Sequence, residues 1–328
     1  MTLEKAGETE DSTSAGRFQQ RLLAWFDLHK RDLPWRKDRD PYRVWLSEIM
    51  LQQTRVAAVT NHYDRFLRRF PSIEKLASAR EASVLAAWSG LGYYRRARML
   101  HAAAKKIVKE RGGEFPKNAE DLRALPGIGR YTAAAIASIA FDQPEAVVDG
   151  NVERVLQRVR GKNLAGEELW HAAGKLLSQR QPGDFNQAMM ELGATVCSPR
   201  QPQCLLCPVS DLCATRGELQ KRTKATRQTK RDIHYMFASR NGSIYLVQRS
   251  SDATLMPGMW ELPETAANQS AAAWLTVRHS ITVTDYLVRV LRGPAPEEIS
   301  GRWVRKSRVT ALPLTGLARK ILRAAKII

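Results

Sequence analysis

Leu122-Arg123-Ala124-Leu125-Pro126-Gly127-Ile128-Gly129-Arg130-Tyr131 opens the stretch that decides how this chain is read. Pro126 and the two glycines break a short helix and allow backbone angles that other residues resist. From Arg130 an Ala-rich run predicts a second helix to Phe141, because Ala is the best helix former. Helix, tight Gly turn and helix form a hairpin whose turn leaves backbone N–H groups bare, and such groups bind an anion such as a phosphate. A plain turn between two helices would use the same residues. The apolar run that follows, ending in Val148-Asp149-Gly150-Asn151, speaks against it.

Working outward, the 328 residues are enough for two or three domains. The formal net charge of +19 suits a polyanionic partner, nucleic acid first, better than a merely solubilising surface. No run of about 18 apolar residues occurs, so no membrane span or membrane partner is expected. Residues 1–16 are polar and partly acidic, unlike a secretory or mitochondrial leader, and are expected to form a disordered tail.

Phe18, Leu22, Leu23, Trp25 and Phe26 recur at helical spacing. After the break at Leu33-Pro34-Trp35-Arg36, Asp40 is placed to cap a helix with Pro41 at its first position, expected from Tyr42 to about Val59. Within it Glu48 lies between the apolar runs 44–46 and 49–51. A carboxylate in such surroundings has a raised pKa and suits a general acid; the alternative is that it reaches solvent or pairs with Arg55. Further on, Tyr93 and Tyr94 stand beside Arg95, Arg96 and Arg98, either to stack on bases and contact phosphates or to pack inward.

The only cysteines are Cys197, Cys204, Cys207 and Cys213, spaced x6, x2 and x5. Clustered so closely they read as one metal centre rather than a secreted disulfide framework. Four thiolates on a compact loop suit tetrahedral zinc or an iron–sulfur cluster; a single x2 pair favours iron–sulfur. Residues 215–232 form a basic linker. Beyond it the pattern turns to strands: 234–239 and 243–249 around the hairpin signal Arg240-Asn241-Gly242, a helix at 266–275, alternation over 276–291, a strand near 303–309 and a basic helix from 315. The expected organisation is mostly α over 17–214, with the metal loop at 197–213, then a small α+β domain at 233–328.

Taken in order, Leu33–Arg36, Trp45-Leu46-Ser47-Glu48-Ile49-Met50-Leu51-Gln52-Gln53-Thr54, Gly90-Leu91-Gly92-Tyr93-Tyr94, the Gly127/Gly129 hairpin, Val148-Asp149-Gly150-Asn151-Val152 with Arg154, and the four cysteines resemble the helix-hairpin-helix DNA glycosylase superfamily with an iron–sulfur loop. Within it the chain is most similar to the MutY-type family of A/G-specific adenine DNA glycosylases. The resemblance implies a base-excision-repair enzyme that acts on double-stranded DNA containing A:8-oxoguanine or A:G mispairs. It implies Glu48 as general acid and base, and Asp149 stabilising or trapping the sugar cation, with Tyr131 and Asn151 holding that arrangement. Trp35, Arg36, Leu51 and Gln187 would line the adenine pocket; Gln53 and Tyr93 would wedge into the DNA; Gly127 and Gly129 would grip its backbone. The four cysteines would hold a [4Fe-4S] cluster. Endonuclease III-like relatives carry a lysine nucleophile where this chain has Tyr131, so hydrolysis without strong lyase activity is expected.

The C-terminal region resembles the family's MutT/Nudix-like domain, through Leu255-Met256-Pro257-Gly258-Met259-Trp260-Glu261-Leu262-Pro263, but lacks a glutamate-rich Nudix box. Where the family usually carries Phe-Ser-His or Phe-Thr-His, this chain has Ile281-Thr282-Val283, leaving only the Thr282 hydroxyl for lesion recognition. A monomer in a bacterial-like cytoplasm, associated with the nucleoid, is expected. Competing readings are a glycosylase for another mismatch or damaged base, and a weakly catalytic lesion-binding protein.

Overall fold

The computed structural model describes residues 3–216, 229–266, 272–281 and 284–328. The chain divides into two compact units, Met1–Gln53 with Lys106–Arg222 and Thr54–Lys105 with Thr223–Ile328. This differs from the linear division expected from composition, because the helical segment 54–105 groups with the C-terminal α+β fold. Among the described residues, eleven α-helices precede the strands: α1 (Leu3–His29), α2 (Pro41–Leu51), α3 (Val56–Arg69), α4 (Ile73–Ala77), α5 (Glu81–Trp88), α6 (Arg95–Arg111), α7 (Ala119–Arg123), α8 (Arg130–Phe141), α9 (Gly150–Arg160), α10 (Glu167–Leu176) and α11 (Pro182–Thr195).

Helix α1 begins at Leu3, so residues 3–16 are helical rather than a disordered tail. Leu3, Glu4, Lys5 and Ala6 are all good helix formers and extend a segment anchored further on. The anchor is Phe18, Leu22, Trp25 and Phe26, one helical face, buried with Val152, Leu156, Phe185 and Leu192 of α9 and α11. Each such side chain contributes roughly 1.5–3 kcal/mol. Helix α8 is buried from Thr132 to Ile139. Helix α11 crosses it so closely that a Cβ on Gly183 would lie 2.5 Å from the Ser138 carbonyl oxygen. Glycine is therefore required there.

The single helix expected from Tyr42 to about Val59 is two helices. Helix α2 ends at Leu51 and α3 starts at Val56, with Gln53 at φ 54° in the break. Arg55 thus lies outside the helix that carries Glu48.

In the second unit, β1 (Thr229–Phe237), β2 (Ser239–Arg240), β3 (Ser243–Gln248), β4 (Trp260–Glu261), β5 (Glu264–Thr265), β6 (Leu275–Ile281), β7 (Thr284–Arg292) and β8 (Arg302–Arg305) are followed by α12 (Lys306–Val309) and α13 (Gly316–Ala324). One sheet runs β5-β1-β7-β6, with β1 and β7 parallel; in the other, β3 lies between β2 and β4 and also pairs β8. The Asn241-Gly242 turn has positive φ at both residues, as a type I′ hairpin needs. Strand β1 starts inside the expected linker, most of which lies outside the described residues, as does the middle of the helix expected at 266–275; Trp274 leads straight into β6. Tyr235, Phe237, Ile244, Leu246, Val288 and Val290 pack against Leu317, Ile321 and Leu322 of α13.

Candidate active site and metal centre

Asp40 accepts the Arg43 N–H and Pro41 starts α2, so the sequence fixes where this helix begins and hence which residues face inward. Glu48 is buried, with Trp45, Leu46, Ile49 and Met50 buried around it. Its Oε2 accepts a hydrogen bond from Tyr131 Oη at 2.6 Å. Burial pushes the carboxyl up to about 7; the Tyr131 bond and Arg36 pull it down and Asp149 pushes it up. Tyr131 is itself held well above the usual phenol range, by burial first and then by the two carboxylates. At neutral pH it stays a hydroxyl donor.

Asp149 caps α9. Its Oδ1 accepts the N–H groups of Asn151 at 2.9 Å and Val152 at 2.7 Å. The Asn151 amide donates to Oδ2 at 3.0 Å. Behind Asn151, Arg154 donates to its Oδ1 at 2.8 Å, to the Gly193 carbonyl at 2.7 Å and to the Cys197 carbonyl at 2.8 Å. Gly193 is required, since a Cβ there would lie 2.6 Å from Asn151 Cβ. The acid is therefore gripped on both oxygens, and its grip is tied to the cysteine loop.

Arg36 stands in the turn before α2, its side chain mostly covered, over the Phe26 ring at 5.2 Å. Glu191, which no sequence motif marks, holds it: buried on α11, it accepts from Arg36 at 2.9 Å and from Arg31 at 2.6 and 2.8 Å. Burial pushes this carboxyl up, but the two arginines outweigh it and hold it below the usual range. The signal was available, because Glu191 interrupts the apolar run Met189, Met190 and Leu192 much as Glu48 interrupts its own. Trp35 is buried in the same turn, Leu51 ends α2 and is half-buried, Gln187 is half-buried on α11, and Gln53 is exposed.

Gly127 has φ 75° in the α7–α8 turn. Gly129 precedes α8 without a side-chain cap, at φ −88°, with nothing within 4 Å of a Cβ position. Neither backbone angle nor packing within the chain explains a glycine here. In the second unit Tyr93 is 49 % exposed while Tyr94 is buried. Tyr94 thus packs inward, while Tyr93 is open to solvent. Thr282 lies outside the described residues.

All four cysteines are free and line one small pocket with Val155, Leu192, Val196 and Arg158. Arg158 Nη1 lies 3.3 Å from Cys197 Sγ and donates to the Ser198 carbonyl at 2.8 Å. Burial pushes the Cys207 thiol up to about 11, so a thiolate there requires a bound cation. Among the described residues no three Cys, His, Asp or Glu side chains are grouped to hold a single metal ion. Four thiols lining one pocket suit a metal group held by thiolates.

A helix-hairpin-helix with a capping acid after it and a buried carboxyl that feels the charge of that acid defines the class. Residues 46–177 match the HhH-GPD superfamily base excision DNA repair protein family. The fold is similar to a thermostable thymine-DNA glycosylase, at TM-score 0.59 and 32% identity, covering 62% of this chain and 97% of that one. It is also similar to endonuclease III in a non-covalent DNA complex, at TM-score 0.55 and 22% identity, covering 62% and 96%. The adenine DNA glycosylase of Mus musculus is 42% identical over 305 residues, 87% of this chain and 59% of that protein. That of Buchnera aphidicola subsp. Acyrthosiphon pisum is 32% identical over 273 residues, 79% and 77%. The chain belongs to the adenine DNA glycosylase family. It spans 59% of the mouse relative's length and 41% of the length of the rat one. Among the described residues no helix is long and apolar enough to cross a membrane.

Proposed function

We propose that this chain removes adenine mispaired with 8-oxoguanine or guanine in double-stranded DNA, by hydrolysis of the N-glycosidic bond. The observation that carries the reading is Glu48: a buried carboxyl raised to about 7, bonded to Tyr131 and electrostatically coupled to Asp149. A group poised near neutrality donates a proton efficiently and takes one back. With the adenine flipped out of the duplex, Glu48 protonates its N7, the base departs, and positive charge develops on the sugar. Asp149, gripped by Asn151 and two backbone N–H groups, keeps a carboxylate oxygen in fixed geometry to stabilise that cation or bond to it. Glu48, now a carboxylate, activates the water that completes hydrolysis. Tyr131 offers no amine for a Schiff base, so the reaction ends at the abasic site.

Trp35, Arg36, Leu51 and Gln187 are the side chains proposed for the adenine pocket, with Arg36 aimed by Glu191. Gly127 and Gly129 are proposed to take the DNA phosphate, and Gln53 and Tyr93 to fill the space the base leaves. Both of the latter have left-handed backbone, at φ 54° and 48°, a strain that recurs at functional positions. Cys197, Cys204, Cys207 and Cys213 would hold a [4Fe-4S] cluster, whose chemistry when bound is to fix the loop as a rigid basic surface against phosphates. The C-terminal α+β fold is proposed as a MutT-like reader of the 8-oxoguanine strand. A DNA-bound monomer in a bacterial-like cytoplasm completes the reading. The test is strand scission by alkali after incubation with an 8-oxoguanine:A duplex: the wild type yields a cut A strand, and Glu48→Gln yields none.

A further inference from the structure

The loop from Ser89 to Tyr94 is held in a conformation its residues do not favour alone. Gly90 has φ 110°, Gly92 72° and Tyr93 48°. For a tyrosine the left-handed region costs on the order of 1–2 kcal/mol, so the surroundings must impose it. On one side Trp88 Nε1 donates to the Gly92 carbonyl at 3.2 Å, and Arg96 donates to the carbonyls of Leu91 at 3.3 Å and Gly92 at 3.2 Å. His62 Nε2 packs against the loop, 2.9 Å from where a Cβ on Gly90 would lie.

The other side is supplied by the C-terminal fold. One carbonyl, that of Leu314, accepts from Ser89 Oγ at 3.0 Å and from Tyr94 Oη at 2.9 Å. Arg319 on α13 donates to the same Ser89 hydroxyl at 3.0 Å. Leu314 cannot yield. It is fully buried and bridges to Trp260, and the Trp260 N–H binds the Pro313 carbonyl at 2.8 Å while the Thr315 N–H binds the Trp260 carbonyl at 3.0 Å. Thr315 then caps α13. A second tie runs from Arg98 to the Pro257 carbonyl at 2.5 Å, just before β4.

We propose that the C-terminal fold sets the DNA wedge, with the Leu314 carbonyl clamping Ser89 and Tyr94 so that Tyr93 between them is held out. This rests on the reading of Tyr93 as a wedge. Contacts that only docked two parts of the unit could fall anywhere on the shared face; here both hydroxyls that Leu314 receives come from residues bracketing the one exposed aromatic of the loop. Ser89, Tyr94 and Arg319 are positioning residues, and the part of the chain proposed to read the lesion strand also fixes the part that displaces the base.

The experiment uses the full chain and a duplex carrying 2-aminopurine opposite 8-oxoguanine, with fluorescence reporting base extrusion; single-turnover adenine release is measured in parallel on an 8-oxoguanine:A duplex. Tyr94→Phe keeps the ring and removes the bond. It is expected to lower extrusion and release about fivefold, the worth of one neutral hydrogen bond. If the clamp acts through the wedge, Tyr93→Ala combined with Tyr94→Phe loses no more than Tyr93→Ala alone. Independent losses would multiply, and that outcome overturns the proposal, as does wild-type extrusion in Tyr94→Phe. Should Tyr94→Phe fail to fold, Arg319→Leu, on a half-buried position of α13, breaks a tie to Ser89 and must show the same non-additivity with Tyr93→Ala. A wild type that releases no adenine overturns the glycosylase reading itself; a wild type that does, with Tyr94→Phe unaffected, overturns only the clamp.

Discussion

Tyr131 donates its hydroxyl hydrogen to Glu48 Oε2 across 2.6 Å, inside a site where burial raises the pKa of both groups. The phenol lies far above neutrality, so the carboxyl is the partner that titrates. In the proposed reaction Glu48 serves as an acid only while protonated, and burial raises its pKa to about 7. The single-turnover rate of adenine release is therefore expected to fall as pH rises through about 7. Tyr131→Phe removes a bond that lowers this pKa, so the falling limb should move to higher pH in that variant. A pH–rate profile of both proteins checks the pair; a limb that does not move separates Tyr131 from Glu48.

The same burial has a cost in stability. Glu48 has its folded pKa above its unfolded value, so between about 4.5 and 7 the folded state binds more protons than the unfolded one. Stability contributed by this group thus falls as pH rises through that window, by on the order of 3 kcal/mol when complete. Glu48→Gln carries no such charge. It should be inactive yet more resistant to thermal or urea unfolding than the wild type at pH 8, with the difference shrinking at pH 5. Equal destabilisation at both pH values would contradict a buried, raised carboxyl.

Asp149 caps α9 and is proposed to stabilise the sugar cation, and one substitution separates the two. Asn caps helices about as well as Asp. Asp149→Asn should keep α9 capped, changing stability by less than about 1 kcal/mol, while losing most of the adenine-release rate because the charge facing the sugar is gone. Thermal unfolding measured beside single-turnover kinetics distinguishes the roles. A variant that loses stability and activity in proportion would make Asp149 only a cap.

Removing one thiol tests the metal centre. Cys207→Ser is expected to lose bound iron and the visible thiolate-to-iron absorption of the wild type, and to weaken DNA binding at low salt. Stoichiometric zinc in place of iron in the purified wild type would contradict the cluster.

Much of this was legible in the chain because local chemistry points one way at each step. Asp40-Pro41 fixes the start of α2, which places Glu48 among buried neighbours. Gly127, Gly129 and the Ala run give the hairpin, and Asp149-Gly150-Asn151 gives a capped helix with its acid. The illegible parts are those that depend on tertiary partners. Nothing near Gln53 announces the break after Leu51, since the left-handed turn there has no glycine. Residues 3–16 have no apolar stripe of their own, and their helix continues from Phe18 and Leu22. Arg158 reads as an ordinary charged residue until the fold brings the cysteine loop against it, and the partners of Arg154 and Glu191, Asn151 and Arg36, follow only from the packing. The Leu314 carbonyl has no sequence signature at all, because a backbone acceptor is available at every residue.

The most direct measurement is adenine release under single-turnover conditions from 8-oxoguanine:A, G:A and C:A duplexes, by the wild type and by Glu48→Gln. The wild type is expected to release adenine from 8-oxoguanine:A and G:A far faster than from C:A, and Glu48→Gln to release none. No release from any A-containing mispair by protein with its cluster intact, or undiminished release by Glu48→Gln, would contradict the assignment.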